Sequence, residues 1–322
     1  MSPFDAPVTK HRPRKLVLAV WASIALAILV IALGYIFLPK GLMHVQRFEP
    51  YQGTLLLLAN TQWEAPSGEK VQGLISYDPS SKSVSYAIPP FSTYSLFSIN
   101  SSSLFQDRLL TVRNEDSSID LVIVDLKTQE AEEIDSISAD AGIFGQSFWS
   151  SDGTRIAYVI YPLEGTPSLR VTGDGVADLG FGIPLTFSPT AEEVLIDTRP
   201  MLTTINIESG ERVEFAGVAF SSYQEESVYA APTGNYVIAL LSGDRFARVY
   251  QMDWNSHAAV MRGVIPIKEG SSMVFNTNDQ VLITSDGLSK AYQLSESGTH
   301  TTIGVYDFEL PADVRIISWN SL

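Results

Sequence analysis

The sequence predicts an all-β domain, a ring of four-stranded sheets, carried behind a single transmembrane helix. Three observations carry that expectation. Residues 16–38 form an uncharged apolar run, a strand-turn-strand unit recurs from Ile99 to Trp319, and the last strand lacks its partner within its own unit.

The apolar run, LVLAVWASIALAILVIALGYIFL, has 23 residues. At about 1.5 Å rise per residue it spans roughly 35 Å, enough to cross a hydrocarbon core of about 30 Å with some tilt. Lys10, Arg12, Arg14 and Lys15 precede it and only Lys40 follows closely. The positive-inside rule then puts residues 1–15 in the cytoplasm and the C-terminal bulk outside it, in the periplasm or at the cell surface. A cleaved signal peptide is the alternative, because Ala32-Leu33-Gly34 is a small-x-small triplet. The run continues past that triplet through Tyr35–Leu38, which favours an uncleaved anchor.

Composition narrows the remainder. The net charge is −15, and the first 40 residues carry +4, leaving −19 for the rest. Such a domain repels nucleic acid and anionic headgroups. There is no cysteine, which excludes disulfides, cysteine zinc sites, thiol catalysis and a lipidated N-terminal cysteine. Hydrophobic residues make up 45% of the chain, enough for a large core.

The recurring unit is clearest at Phe148-Trp149-Ser150-Ser151-Asp152-Gly153-Thr154-Arg155, followed by Ile156–Ile160. It returns around Phe187, Ala230 and Phe275, with a degenerate copy at Ile99-Asn100-Ser101-Ser102 and a truncated one at Trp319. Taking Ile99, Trp149, Phe187, Ala230, Phe275 and Trp319 as equivalent gives spacings of 50, 38, 43, 45 and 44 residues. Strand-turn-strand composition at this period predicts four-stranded propeller blades. A second series of strands ending in polar turns alternates with the first, at Leu74–Asp78, Leu121–Asp125, Leu169–Gly173, Thr204–Glu208, Val249–Asp253 and Ala291–Ser295. Two hairpins per period give a six-bladed β-propeller; seven blades are the alternative if Pro89–Asp107 hides another unit. Val314–Leu322 reads as the first strand of a unit whose second strand lies at Thr54–Asn60. The C-terminal strand is therefore expected to close the ring and remove open sheet edges.

Residues 149–158, Trp-Ser-Ser-Asp-Gly-Thr-Arg-Ile-Ala-Tyr, resemble the repeat signature of TolB-like and WD40-like propellers, and Phe187-Ser188-Pro189 is a partial second match. The resemblance implies the fold. TolB itself is a soluble periplasmic protein with an additional N-terminal α/β domain, where this chain has the apolar helix.

The expected organisation is a cytoplasmic tail at 1–15, a transmembrane helix at 16–38, a linker at 39–53 and the propeller at 54–322. Asp152-Gly153 reads as turn chemistry, and the recurrent aromatics Trp149, Phe187, Phe275 and Trp319 as wedges between blades. The histidines, His11, His44, His257 and His300, form no metal-binding spacing. Neither a nucleophile elbow nor a phosphate-binding glycine loop occurs. The adjacent pairs Glu132-Glu133, Glu192-Glu193 and Glu225-Glu226 read as solvated charges rather than acid–base dyads. Two segments, Thr61–Gln72 and Phe246–Arg262, exceed what a propeller needs. Their Trp63, Trp254 and His257 are the candidate partner-binding residues. The functional expectation is a membrane-tethered extracytoplasmic module that binds or scaffolds an envelope protein or peptide, without catalytic residues, metal or cofactor. The alternative is a propeller hydrolase or lyase acting on envelope polysaccharide or peptide at the central funnel.

Overall fold

Antiparallel strands follow one another along the chain, many of them rich in aliphatic and aromatic residues and closed by a polar turn. The computed structural model describes residues 53–88, 94–95, 99–173, 175–219, 226–241, 245–268, 271–285, 288–294, 301–307, 310 and 314–319. All belong to one unit, Phe48–Leu322. The tail, the expected transmembrane helix at 16–38 and all of the linker at 39–53 except Gly53 lie outside the described residues. Among the described residues no helix is long and apolar enough to cross a membrane.

The first sheet contains β1 (Leu55–Glu64), β2 (Lys70–Asp78) and β3 (Ser83–Tyr86). The second contains β4 (Tyr94–Ser95), β5 (Leu104–Phe105), β6 (Arg108–Asn114), β7 (Ser118–Asp125) and β8 (Ala131–Ser138). Both β4 and β5 pair with β6, and a 3-10 turn at Ser101–Ser103, capped by Asn100, separates them. The third sheet runs through β9 (Gly142–Trp149), β10 (Ile156–Pro162), β11 (Ser168–Thr172) and β12 (Val176–Asp178). An eight-stranded sheet follows. It joins the meander β13 (Ile183–Phe187), β14 (Glu193–Asp197), β15 (Met201–Asn206) and β16 (Arg212–Ala219) to the meander β17 (Glu226–Ala230), β18 (Tyr236–Leu241), β19 (Phe246–Asp253) and β20 (Ala258–Pro266). The junction is a single parallel pairing of Ala216 with Ala258. The last sheet is β21 (Ser272–Phe275), β22 (Gln280–Ser285), β23 (Leu288–Gln293) and β24 (Thr301–Asp307). Finally β25 (Val314–Trp319) returns to the first sheet and pairs with β1, Trp319 opposite Leu55 and Val314 opposite Ala59.

Burial explains the strand sequences. The second strand of each meander is covered on both faces, so its apolar run is continuous, as in Val194–Ile196. The outermost strands β3 and β8 are largely exposed and polar. The core divides into clusters that each bridge two successive meanders. One joins Leu58, Leu74 and Ile317 to Ile99 and Leu109; the next joins Leu110 and Leu121 to Trp149 and Tyr158. The series continues through Phe148 with Phe187, Leu195 and Phe215 with Val237 and Tyr250, and Ile238 with Phe275 and Ile283. It ends with Val274 and Leu282 against Leu57 and Trp319. No sheet could bury both faces alone, so each depends on its neighbours. The arrangement is an all-β propeller-like fold.

The recurrent aromatics are wedges. Phe187 meets Phe148 edge-on at 5.4 Å between centroids, and the Trp319 indole N–H donates to the Val274 carbonyl at 3.0 Å across to the last sheet. One equivalence is corrected. The first strand of the second sheet ends at Phe105, not Ile99, and turns through Gln106-Asp107, with Gln106 at φ 54°. Phe105 thus stands where Trp149 stands in the next unit, 44 residues on, and the long first interval disappears. The stretch Pro89–Asp107, where described, supplies a first strand in two pieces.

Candidate functional site

The three candidate partner-binding residues each make contacts within the fold. Trp63 was expected in a long loop, but β1 extends to Glu64 through a bulge after Ala59, and Trp63 pairs with Val71. Only 6% of it is exposed, and its ring meets Tyr77 edge-on at 5.6 Å. Trp254 lies in the turn between β19 and β20. Its indole N–H donates to the Gly234 carbonyl at 2.9 Å, and its ring packs edge-on against Phe215 of β16 at 5.6 Å. His257, with φ 48°, places Nε2 3.0 Å from Glu193 Oε1 at the start of β14 and stands over Phe215. The His257 carbonyl accepts from the Ala216 N–H at 2.9 Å. Gly217, at φ 90°, admits the Ala259 carbonyl 2.2 Å from where a Cβ would sit. The turn is therefore a strap from one meander to the preceding one. Phe215 and Glu193 complete it, and no local pattern in the sequence connects them to His257, 64 residues from Glu193.

The turns follow a common chemistry. Asp152 accepts from the Ser150 hydroxyl at 2.6 Å and from the Thr154 N–H at 3.0 Å. Burial raises its pKa, but those bonds outweigh the effect and hold it below the ordinary carboxylate range. In the outer turns Asp78, Asp125, Asn206 and Asp253 each accept backbone N–H groups two and three residues ahead, the local bonding expected of these residues. The Ser80 and Ser81 hydroxyls bring the Asp78 pKa to about 2. Two of the acidic pairs are dispersed likewise: Glu132 binds Arg108 at 3.2 Å, Glu133 lies 3.6 Å from Arg113, and Glu193 faces His257; Glu225 lies outside the described residues.

What the first strands bring together is a channel. Asn100, Ser102, Gln146, Pro184, Tyr229 and Met273, from successive meanders, line a cavity of about 190 Å³. Phe275 belongs both to this cavity and to a wider one of about 450 Å³ at the mouth, where the first hairpin turns converge. Ser151, Pro232, Asn276 and Thr277 come from those turns, Gln106 and Asp107 from the turn after β5, and Thr54 and Ser318 from the closing pair. Asp107 is the ionisable group lining the wider cavity, and Lys127 Nζ holds it at 2.5 Å. Besides Asp107, the channel lining contains hydroxyls, amides and apolar groups; among the described residues no His, Asp or Glu cluster could hold a metal. Sequence reasoning missed these lining residues because only closure of the sheets brings them together.

No protein-family model matches the sequence, and no curated protein does. Solved structures do. An oligogalacturonate lyase in complex with manganese superposes with a TM-score of 0.52 at 15% identity, over 80% of this chain and 77% of that one. TolB from Acinetobacter baumannii gives 0.49 at 14% identity, over 79% of this chain and 65% of that one. A periplasmic gluconolactonase from Pseudomonas aeruginosa gives 0.45 at 13%, over 82% and 99%. This chain thus spans about two thirds of the TolB chain. The likeness to the lyase places this chain among propeller-like all-β proteins, which host unrelated activities.

Proposed function

We propose that the chain is a six-bladed propeller, tethered outside the cytoplasm by a transmembrane helix at 16–38, that binds an envelope protein or peptide at the mouth of its channel. The blade count rests on the core clusters, each spanning two successive meanders, and on the division of the eight-stranded sheet at one parallel pairing. The tether rests on the apolar run and its flanking charges. The observation that carries the function is the 450 Å³ mouth cavity, whose size suits a few side chains and whose one lining carboxylate is already paired. Acid–base catalysis needs ionisable groups poised against the reacting atoms, whereas this lining offers neutral hydroxyls, an amide-bearing turn and apolar walls. That favours binding over the hydrolase or lyase alternative.

A photo-crosslinking residue at Thr277, in full-length protein in its native membrane, tests the reading. One defined adduct at Thr277, absent with the probe at Ser85 on the outermost strand β3, is expected. Fractionation should leave the protein in the membrane pellet. Adducts of equal yield at both positions, or release of the protein as a soluble species, would overturn it.

A further inference from the structure

The mouth cavity combines apolar walls with an acidic surround. Leu56, Leu104, Phe105, Leu126, Pro232 and Trp319 supply the walls. Asp107 lines the cavity, and Asp78, Asp125, Asp152 and Asp279 lie within two residues of lining positions along the chain. The cations within the same spans are Arg108 and Lys127. Lys127 is held by Asp107, and Arg108 is bonded to Glu132 and lies 4.9 Å over the Trp149 ring. Asp279 takes its bonds from the neutral Thr233 hydroxyl and Asn235 amide, so its charge is not neutralised there. Hydrogen bonds keep Asp78 and Asp125 low in pKa, so both are ionised at neutral pH. With Lys127 and Arg108 already paired, the carboxylates beside the cleft outnumber its free cations, and such an excess draws positive charge toward it.

Resting on the binding reading above, we infer that the partner is a protein segment that places an apolar side chain in the mouth and lysine or arginine against its rim. The apolar walls reward burial of the side chain, and the rim selects the flanking charge and speeds encounter. A neutral or acidic segment fits the walls equally well and is rejected by the rim. Specificity thus lies outside the pocket.

The test pans a random peptide display library against the full-length protein in nanodiscs, then synthesises the enriched peptides. Peptides with a large apolar residue flanked by lysine or arginine are expected. Thr277 is an exposed turn residue on the lining, so charge can be placed there with little effect on folding. Thr277→Lys should weaken those peptides about ten-fold and Thr277→Glu strengthen them, both effects shrinking as salt is raised. Thr277→Trp, which fills the mouth, should abolish binding. Enrichment of neutral or acidic peptides, or equal binding by the lysine and glutamate variants, overturns the inference. If the Thr277 crosslink in native membrane then still captures one partner, the binding reading stands and only the basic segment is wrong. If neither selection nor crosslinking yields a ligand, both fall.

Discussion

Gly234 shows how much a single position can carry. It holds φ at 78°, and a Cβ there would stand 2.3 Å from the Phe187 carbonyl oxygen of the preceding meander. Gly210 shares the backbone conformation, φ 72°, but faces open space. Gly210→Ala should therefore cost about 1–2 kcal/mol, the strain of a left-handed alanine. Gly234→Ala adds a clash with backbone that cannot rotate away, and chemical denaturation should show a clearly larger loss. Trp254 separates a structural tryptophan from a binding one. Trp254→Phe retains a ring against Phe215 and loses the bond to the Gly234 carbonyl, which should lower stability by about 1 kcal/mol. Crosslinking from Thr277 should be unchanged; loss of the adduct in a well-folded Trp254→Phe protein would return the partner site to the strap. The sequence made Trp254 look like an anchor because it stands in a hairpin turn among polar residues. Nothing local says that β16 lies alongside.

Elements were legible in proportion to how local their causes are. Polar turns ending apolar runs located the outer hairpins, because an Asp or Asn accepting N–H groups two and three residues ahead is written in four consecutive residues. The same chemistry makes the turns acid-sensitive. The Ser80 and Ser81 hydroxyls lower the pKa of Asp78, the Thr128 and Lys127 N–H groups that of Asp125, and the Ser256 hydroxyl and N–H that of Asp253. All three are depressed below the unfolded value of about 3.9. Their contribution is therefore present above that value and disappears as pH falls through the folded ones, down to about 2 for Asp78. Thermal unfolding followed from pH 5 to 2 should show falling stability. The triple variant Asp78→Asn, Asp125→Asn, Asp253→Asn should show a shallower fall, with its turns still capped by the amide oxygen; an unchanged slope would refute the assignment. The second sheet was misread for the opposite reason. Its first strand is broken, and the piece that turns, Leu104–Phe105, has two residues and no turn glycine.

At the scale of the molecule, closure by β25 was readable from the unit that stops at Trp319 and the orphan strand that begins near Thr54. The channel lining was not, since it is defined only by every first strand at once. β25 pairs with β1 over Leu55–Ala59 and seats Trp319 against Val274 of the last sheet. Deleting residues 314–322 removes a strand shared by two core clusters, the first sheet with the second and the last sheet with the first. Such a protein should lose cooperative unfolding and expose apolar surface to a hydrophobic dye; a melt like that of the intact chain would contradict the ring. A ring sealed by its final strand also has a timetable. The ribosome delivers β1 long before β25, so an early strand waits with one edge bare through the synthesis of everything between them. A bare edge can pair with any strand it meets, so the arrival of β25 ends the interval in which β1 is open to mispairing.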